Sequence, residues 1–473
     1  MHNCNQGRFQ QQIRFLRRQF LQDGDLPFSN LLSEEVVQKA LTAVSFVWND
    51  RIYTPIVTLW VFLGQVMSAD HSCRAAVARL VAHRISNGQS PCSSETGAYC
   101  QARKRLPEGF FSTIARMAGR KLEDQVQGNW LWKGRHVYMF DGTTVSMPDT
   151  PKNQAAYPQV YNQKPGLGFP IARVCTIISL SCGAVLDLGI CRYAGKGQGE
   201  LSLLRKLWDI LSPGDILLTD ALMSTWHEML MLKKRGVDSV SRLNKATRRA
   251  DFRRGKRLGK DDHIVRWQKP SSIRHIDWAT YKQLPEYLEV RETRVRVEQP
   301  GFRTKKIIVV TTMLDPEATT KEDLASLYRS RWSQELDIRD IKISLQMDIL
   351  RCKTPELVRK EIWTHILAYN LIRTIMAQAA SQHLLQPREI SFKGTIQTLE
   401  AFQPLMSFHE HQSAGFRQQI HLQLLEAVAT HLVANRPDRF EPRKRKRNPR
   451  KSEMMTKPRW ELKRLMRKGV TNI

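Results

Sequence analysis

HVYMFDGTT, residues 136–144, reads as a short buried strand that runs into an acid and a glycine, Asp141 and Gly142. Val137 to Phe140 offer no polar face, as a strand covered on both sides requires. The Gly/Pro-rich run PDTPKNQAAYPQVYNQKPGLGFP follows and must be largely irregular. ARVCTIISLSCGAVLDLGICRY then reads as two strands joined at Ser181-Cys182-Gly183. Next come a helix in GELSLLRKLWDIL, a second short buried strand ending at Asp220 in ILLTDA, a helix in STWHEMLMLKKRG and a strand in DSVSRL. Such alternation argues for a mixed sheet with helices on its faces, an α/β fold.

Residues 1–125 carry helix-type patterns instead. RFQQQIRFLRRQFL, LTAVSFVWND, IVTLWVFLGQVM and CRAAVARLVAHRI all look helical, and SSETGAYCQARKRLP reads as a capped basic helix ended at Pro107. A helical DNA-binding domain and a plain bundle with a basic skin both fit. Residues 126–380 form the α/β part, interrupted at about 244–304 by a basic, strand-prone, turn-rich insertion. KIIVVTTML restores a core strand, a helix begins near Lys321, and TPELVRKEIWTHILAYNLIRTIMAQAA continues as a long helix. Residues 381–435 are again helical, and residues 436–473 form a basic tail. Thirteen Lys/Arg against two Glu between Arg443 and Lys468 predict a disordered, nucleic-acid-binding segment.

The charge balance points the same way. Against 45 Asp+Glu stand 74 Lys+Arg, a net charge of +29. A polyanionic partner is implied, because neutralised phosphates release condensed counterions. A membrane surface is the weaker candidate: the longest apolar run, Ile56 to Met67, is interrupted by Thr58 and Gln65 and is too short to span. The start, MHNCNQGRFQ, has no signal-peptide core. Eight cysteines without C-x-x-C read as core residues in a reducing, cytoplasmic setting. No His/Cys spacing implies zinc.

One helix concentrates chemistry. YRSRWSQELDIRDIK, residues 328–342, holds Tyr328, Arg331, Glu335 and Lys342 at offsets that share a stripe of about 60° on an α-helix. Arg339 and Trp332 border it, while Asp337 and Asp340 face away. One carboxylate among cations suits a metal-binding acid beside a phosphate backbone, although a solvated helix with i,i+4 pairs carries the same pattern. Asp141 and Asp220, at the ends of two buried strands, supply two further acids, unless they serve only as cap or turn residues. Two Asp and one Glu can hold a pair of Mg²⁺ ions about 3.5–4 Å apart, the arrangement for in-line phosphodiester chemistry.

At this level of detail the sequence resembles bacterial insertion-sequence transposases of the DDE class, in the insertion sequence four family. Their Y-R-E-K signature falls on Tyr328, Arg331, Glu335 and Lys342 at full spacing. Similarity extends through DGTTVSMPDT, NQKPGLGFPIARV, GKGQGE, DFRRGKRLG, LDIRDIK, QMDILRCKTPELVRKEIW and AYNLIR, over about residues 90–460. The resemblance implies an RNase H-like catalytic core with a β-rich insertion between the second Asp and the Glu. It implies Asp141, Asp220 and Glu335 as catalytic metal ligands for two Mg²⁺, with Mn²⁺ an acceptable substitute. Tyr328, Arg331 and Lys342 become DNA-phosphate contacts, Arg339 another DNA contact, and Trp332 an aromatic for a flipped base. Trp267 and Trp278 are further stacking candidates, or simply core and strand-surface tryptophans.

The activity so implied is binding of terminal inverted repeats, cleavage at the element ends, with a hairpin route as an option, and joining of 3′-ends to target DNA. Double-stranded DNA and a homodimer in the synaptic complex are the implied partners, at the bacterial nucleoid. One departure stands out: ALMSTW follows Asp220 where an aromatic- or Arg-containing run is expected. It keeps open an alternative, a DNA-binding protein whose catalysis has been lost. GKGQGE lacks the G-x4-G-K-[ST] of a phosphate loop and reads as a turn opening the next helix.

Overall fold

Among the described residues six α-helices precede the first strand: α1 (Gln6–Arg18), α2 (Glu34–Ala43), α3 (Pro55–Met67), α4 (Cys73–Ser86), α5 (Gly97–Arg105) and α6 (Glu108–Glu123). The computed structural model describes residues 6–22, 26–296, 306–409, 412–433 and 454–468. Local chemistry starts several of these helices. Ser33, Thr54 and Ser72 each accept a backbone N–H from the first turn, and Pro55 follows its cap at a position where no N–H is needed.

Two expectations fail here. LTAVSFVWND is not a helix beyond Ala43, because its aromatics pack as a layer: Phe46 stacks on Trp48, whose ring also meets Phe9. Nor does Thr96 make a side-chain cap for α5.

The strands are β1 (Val137–Ser146), β2 (Ile171–Ser179), β3 (Val185–Arg192), β4 (Ile216–Thr219), β5 (Asp238–Arg242), β6 (Lys256–Gly259), β7 (Asp262–Gln268), β8 (Tyr287–Arg296) and β9 (Lys306–Thr311). Between them lie α7 (Pro151–Ala156), α8 (Glu200–Leu207), α9 (Trp226–Lys234) and α10 (Trp278–Lys282). All nine strands join one mixed sheet in the order β3-β2-β1-β4-β5-β9-β8-β7-β6. β1, β4 and β5 run parallel, and the remaining pairings are antiparallel. The insertion therefore extends the sheet instead of interrupting it. β9 returns to pair with β5, and β8 adds on β9's free edge from Arg291↔Thr311 to Arg296↔Lys306.

After the sheet come α11 (Lys321–Ser330), α12 (Trp332–Arg339), α13 (Pro355–Gln382), α14 (Phe392–Phe408), α15 (Ala414–Thr430) and α16 (Arg459–Arg467). Two hydrophobic cores result. The larger runs from Phe9 in α1 through β1–β5 to Val428 in α15; the smaller packs Trp226, Trp267, Leu288 and Val310 under the insertion. The change near residue 125 is thus one of element type, since packing continues across it. Of the basic tail, residues 436–453 and 469–473 lie outside the described residues, and α16 gives an exposed helix where disorder was expected. No helix among the described residues is long and apolar enough to cross a membrane.

α13, 28 residues long and buried from Lys360 to Ala380, is the axis of the larger core. Its Asn370 amide donates to Ala115 O of α6 at 3.2 Å and to Val185 O of β3 at 2.9 Å, while its Oδ1 accepts the Val185 N–H at 2.8 Å. One side chain of α13 thus satisfies backbone groups of two further elements, so α6 must approach β3 closely. Gly119 permits this: a Cβ there would lie 2.2 Å from Val185 O and 2.9 Å from Asn370 Nδ2. Gly119→Ala is expected to destabilise the fold by about 1–3 kcal/mol, as overpacking does. Gly97→Ala, where a Cβ meets open space, is the near-neutral control. Urea unfolding of both variants checks this, and equal midpoints would contradict the close-packing account.

Candidate active site

Phe140 of β1 is level with Thr219 of the parallel β4. The next residue in each segment is an acid, Asp141 still on β1 and Asp220 just past β4, which brings the two close enough for Asp220 to act on the Asp141 carboxyl. They get there differently. Asp220 follows β4 and caps a 3-10 turn, its Oδ1 accepting the Leu222 N–H at 2.8 Å. Asp141 does not end its strand, contrary to expectation. β1 continues to Ser146 because its other edge stays paired with β2, from Asp141↔Thr176 to Ser146↔Ile171. Where β4 stops, β1 loses one neighbour, and Asp141 stands half-buried in the gap.

The helix carrying the third acid is not one continuous α-helix. A capping box of Thr320 and Asp323 starts α11, but the Arg331 N–H bonds Tyr328 O and the Gln334 N–H bonds Arg331 O, both at three-residue spacing. The chain then restarts as α12 and loosens into a π turn over Asp340–Ser344. The common stripe therefore holds for Tyr328, Arg331 and Glu335, and α-helical phase no longer places Lys342.

Arg331 joins the acids. Its Nη2 lies 2.6 Å from Glu335 Oε1 and its Nη1 3.7 Å from Asp141 Oδ2, with only 16% of the side chain exposed. Burial pushes the Asp141 carboxyl up to about 6; the Gly142 N–H and Arg331 pull it down, and Asp220 and Glu200 push it further up. Burial alone would lower the Arg331 pKa, but Tyr328, Glu335 and Asp141 together raise it. Burial also raises the Tyr328 phenol, against the pull of Arg331 and Arg242, so its O–H stays a donor at neutral pH.

The sequence reading missed Glu200. It opens α8 and bonds Arg173 at 2.8 Å, and a Cβ on Gly142 would meet its Oε1 at 2.8 Å. A fourth acid thus stands beside Asp141. Its signal in the sequence is the acid that closes GKGQGE and opens the next helix.

Other candidates scatter. Trp332 is half-buried at the start of α12. Arg339 is exposed and lies 3.9 Å from Asp340, and among the described residues neither it nor Lys342 bonds to the Arg331 group. Trp267 is core: its Nε1 donates to Glu292 at 2.8 Å and Arg248 covers its ring, so it offers no stacking wall. Trp278 is exposed and stacks on Tyr281.

The opposite face of α12 is anchored. Asp337 is fully buried, bonded by Arg373 of α13 and by Arg388 Nη1 at 2.6 and 2.8 Å. Arg388 also donates to Ser179 O and Leu180 O at the end of β2. Glu335 is thereby tied to the sheet through a residue two positions on.

A family model described as a transposase DDE domain matches residues 132–371, an interval that includes Asp141, Asp220 and Glu335. The transposase InsG of insertion sequence element IS4 from Escherichia coli (strain K12) is 26% identical over 381 residues, covering 76% of this chain and 79% of the relative. The transposase for insertion sequence element IS421 from Escherichia coli is 36% identical over 69 residues, 15% of this chain and 19% of that one. Among solved structures, the cryo-EM structure of a piggyBac transposase synaptic complex with hairpin DNA aligns with a TM-score of 0.44 and 8% identity, covering 85% of this chain and 84% of that chain.

Asp337→Ala leaves two guanidinium groups against a buried void, a change that typically costs about 3–5 kcal/mol. Thermal unfolding is expected to shift down strongly, while the exposed Asp209→Ala shifts it little. Equal melting of the two variants would show that the α12 anchor is not what holds Glu335.

Proposed function

The chain belongs to the DDE transposases, of the insertion sequence four family, and from that premise we propose that Asp141, Asp220 and Glu335 are the acids of its strand-cleaving site. The protein is a DNA transposase. What most supports this placement of the chemistry is the position of Arg331, whose one guanidinium faces acids from a helix and a strand at 2.6 and 3.7 Å, beside the strand that leads into the third. The strand order β3-β2-β1-β4-β5, with parallel β1, β4 and β5, supports an RNase H-like core.

The donor set fits hard divalent cations. It offers carboxylate oxygens only, and the burial, with the neighbouring acids, that raises Asp141 is offset by positive charge. Asp141 and Asp220 would hold two Mg²⁺ ions from the sheet and Glu335 from the helix. When bound, the ions supply an activated oxygen nucleophile and stabilise the leaving 3′-oxygen. Arg331 already neutralises two of these acids, and its planar fork suits a phosphate oxygen equally well. Tyr328, kept protonated, donates to the same backbone. Lys342 and Arg339 contact phosphates further along, and Trp332 takes an unstacked base if the hairpin route is used.

The substrates we infer are terminal inverted repeats and target DNA, handled by a homodimer at the nucleoid in cut-and-paste fashion. The charge of +29 supports the DNA partner. The helical region before residue 125 and the tail after residue 436 are the segments we assign to DNA binding.

Asp141→Asn, Asp220→Asn and Glu335→Gln should each lower Mg²⁺-dependent cleavage of the element's own ends by at least about 10³-fold, in the range typical of lost catalytic groups, with gel-shift affinity kept within a few fold. Wild-type cleavage by Glu335→Gln would overturn the assignment.

A further inference from the structure

Away from the three acids, a second set of ligand-type side chains converges where the insertion meets α9. His227 and Glu228 occupy the first turn of α9, and His275 comes from the loop before α10. His227 Nδ1 lies 3.2 Å from His275 Nε2 and 3.2 Å from Glu228 Oε1; His275 Nε2 lies 3.9 Å from the same oxygen. The two rings stand at 83°, centroids 4.5 Å apart. Three tetrahedral ligands with bonds of about 2.0–2.1 Å sit roughly 3.3–3.4 Å from one another. The observed triangle therefore has the size of three corners of such a site. Among the described residues this is the only group of three His, Cys, Asp or Glu side chains so gathered.

We propose that His227, Glu228 and His275 bind one zinc-type divalent cation, with water as fourth ligand on the exposed side of His275. Two imidazoles and one carboxylate favour a borderline metal over Mg²⁺, which prefers all-oxygen shells. The rest of the surroundings prepares the carboxylate. Arg205 of α8 donates to Glu228 Oε1 at 2.5 and 2.8 Å, and Thr225 Oγ1 donates to Oε2. Thr225 fixes the rotamer from the far oxygen, as groups behind a ligand commonly do, while Arg205 would share Oε1 with the ion. The Arg205 charge also makes the site weaker than a neutral surround would, so occupancy depends on free metal. Without a cation, His227 Nδ1 has two equidistant partners and can donate one proton between them.

The consequence is structural. α9 follows directly from the turn that Asp220 caps, and His275 belongs to the insertion. A metal here clips the insertion to the segment behind the second acid. The residues lie 48 positions apart, so sequence spacing does not show them.

The test is Co²⁺ or Zn²⁺ binding by the full-length protein in excess Mg²⁺, which saturates carboxylate sites without competing for imidazole. Wild-type protein should bind one equivalent, with visible Co²⁺ bands and a thermal shift of several degrees on adding Zn²⁺. His275→Ala, at a part-exposed position, should fold normally and lose both responses; His227→Gln should lose them too. Equal binding and equal thermal response in wild type and both variants would overturn the proposal, leaving only a hydrogen-bonded cluster.

Discussion

Asp337 is buried to zero exposure between Arg373 and Arg388, and the placement of the third acid depends on that contact. A carboxylate so deep is tolerable only if its charge is fully compensated. Two arginines supply this, and each is engaged elsewhere. Arg373 donates to Tyr369 Oη at 2.8 Å, and Arg388 donates to Ser179 O and Leu180 O at 2.6 and 2.7 Å. α12 thus cannot rotate without exposing ions to an apolar core. Its outer face, with Arg331 and Glu335, is aimed at the end of β4 by what its inner face buries. Gly183 reflects the same constraint: at φ +80 it turns β2 into β3, and a Cβ there would meet Arg373 Nε at 2.7 Å.

On the outer face the balance of charge is deliberately incomplete. Arg331 faces Asp141 and Glu335, Asp220 stands beside Asp141, and Glu200 is close by but paired to Arg173. Among the described residues Arg331 alone has an ion pair to these three acids, which leaves a deficit of positive charge in a half-buried place. On the proposed account divalent cations make up that deficit, and Arg331 is then free to meet a phosphate.

Much of this was legible in the sequence. Short apolar runs ending at acids gave β1 and β4, because buried strands need no alternation. The Y-R-E-K spacing gave Tyr328, Arg331 and Glu335 one face, because three and seven residues are near whole turns. Three things were not legible. The extent of β1 past Asp141 is set by β2, a partner 35 residues away. The break at Arg331 and the π turn over Asp340–Ser344 leave no mark in the hydrophobic periodicity. Glu200 is placed by a close approach to Gly142 that only the sheet creates. The insertion joined the sheet for a similar reason, since an open edge on β9 takes a strand from any sequence that can pair.

The central claim is that Asp141, Asp220 and Glu335 share one cation site, and metal-directed backbone cleavage tests it most directly. With Fe²⁺ in place of Mg²⁺, ascorbate and peroxide generate radicals that cut the chain beside the bound ion. The account predicts fragment ends near Asp141, Asp220 and Glu335 together, all lost in Asp141→Asn. Cuts near only one of the three, or cuts that survive Asp141→Asn unchanged, would contradict it.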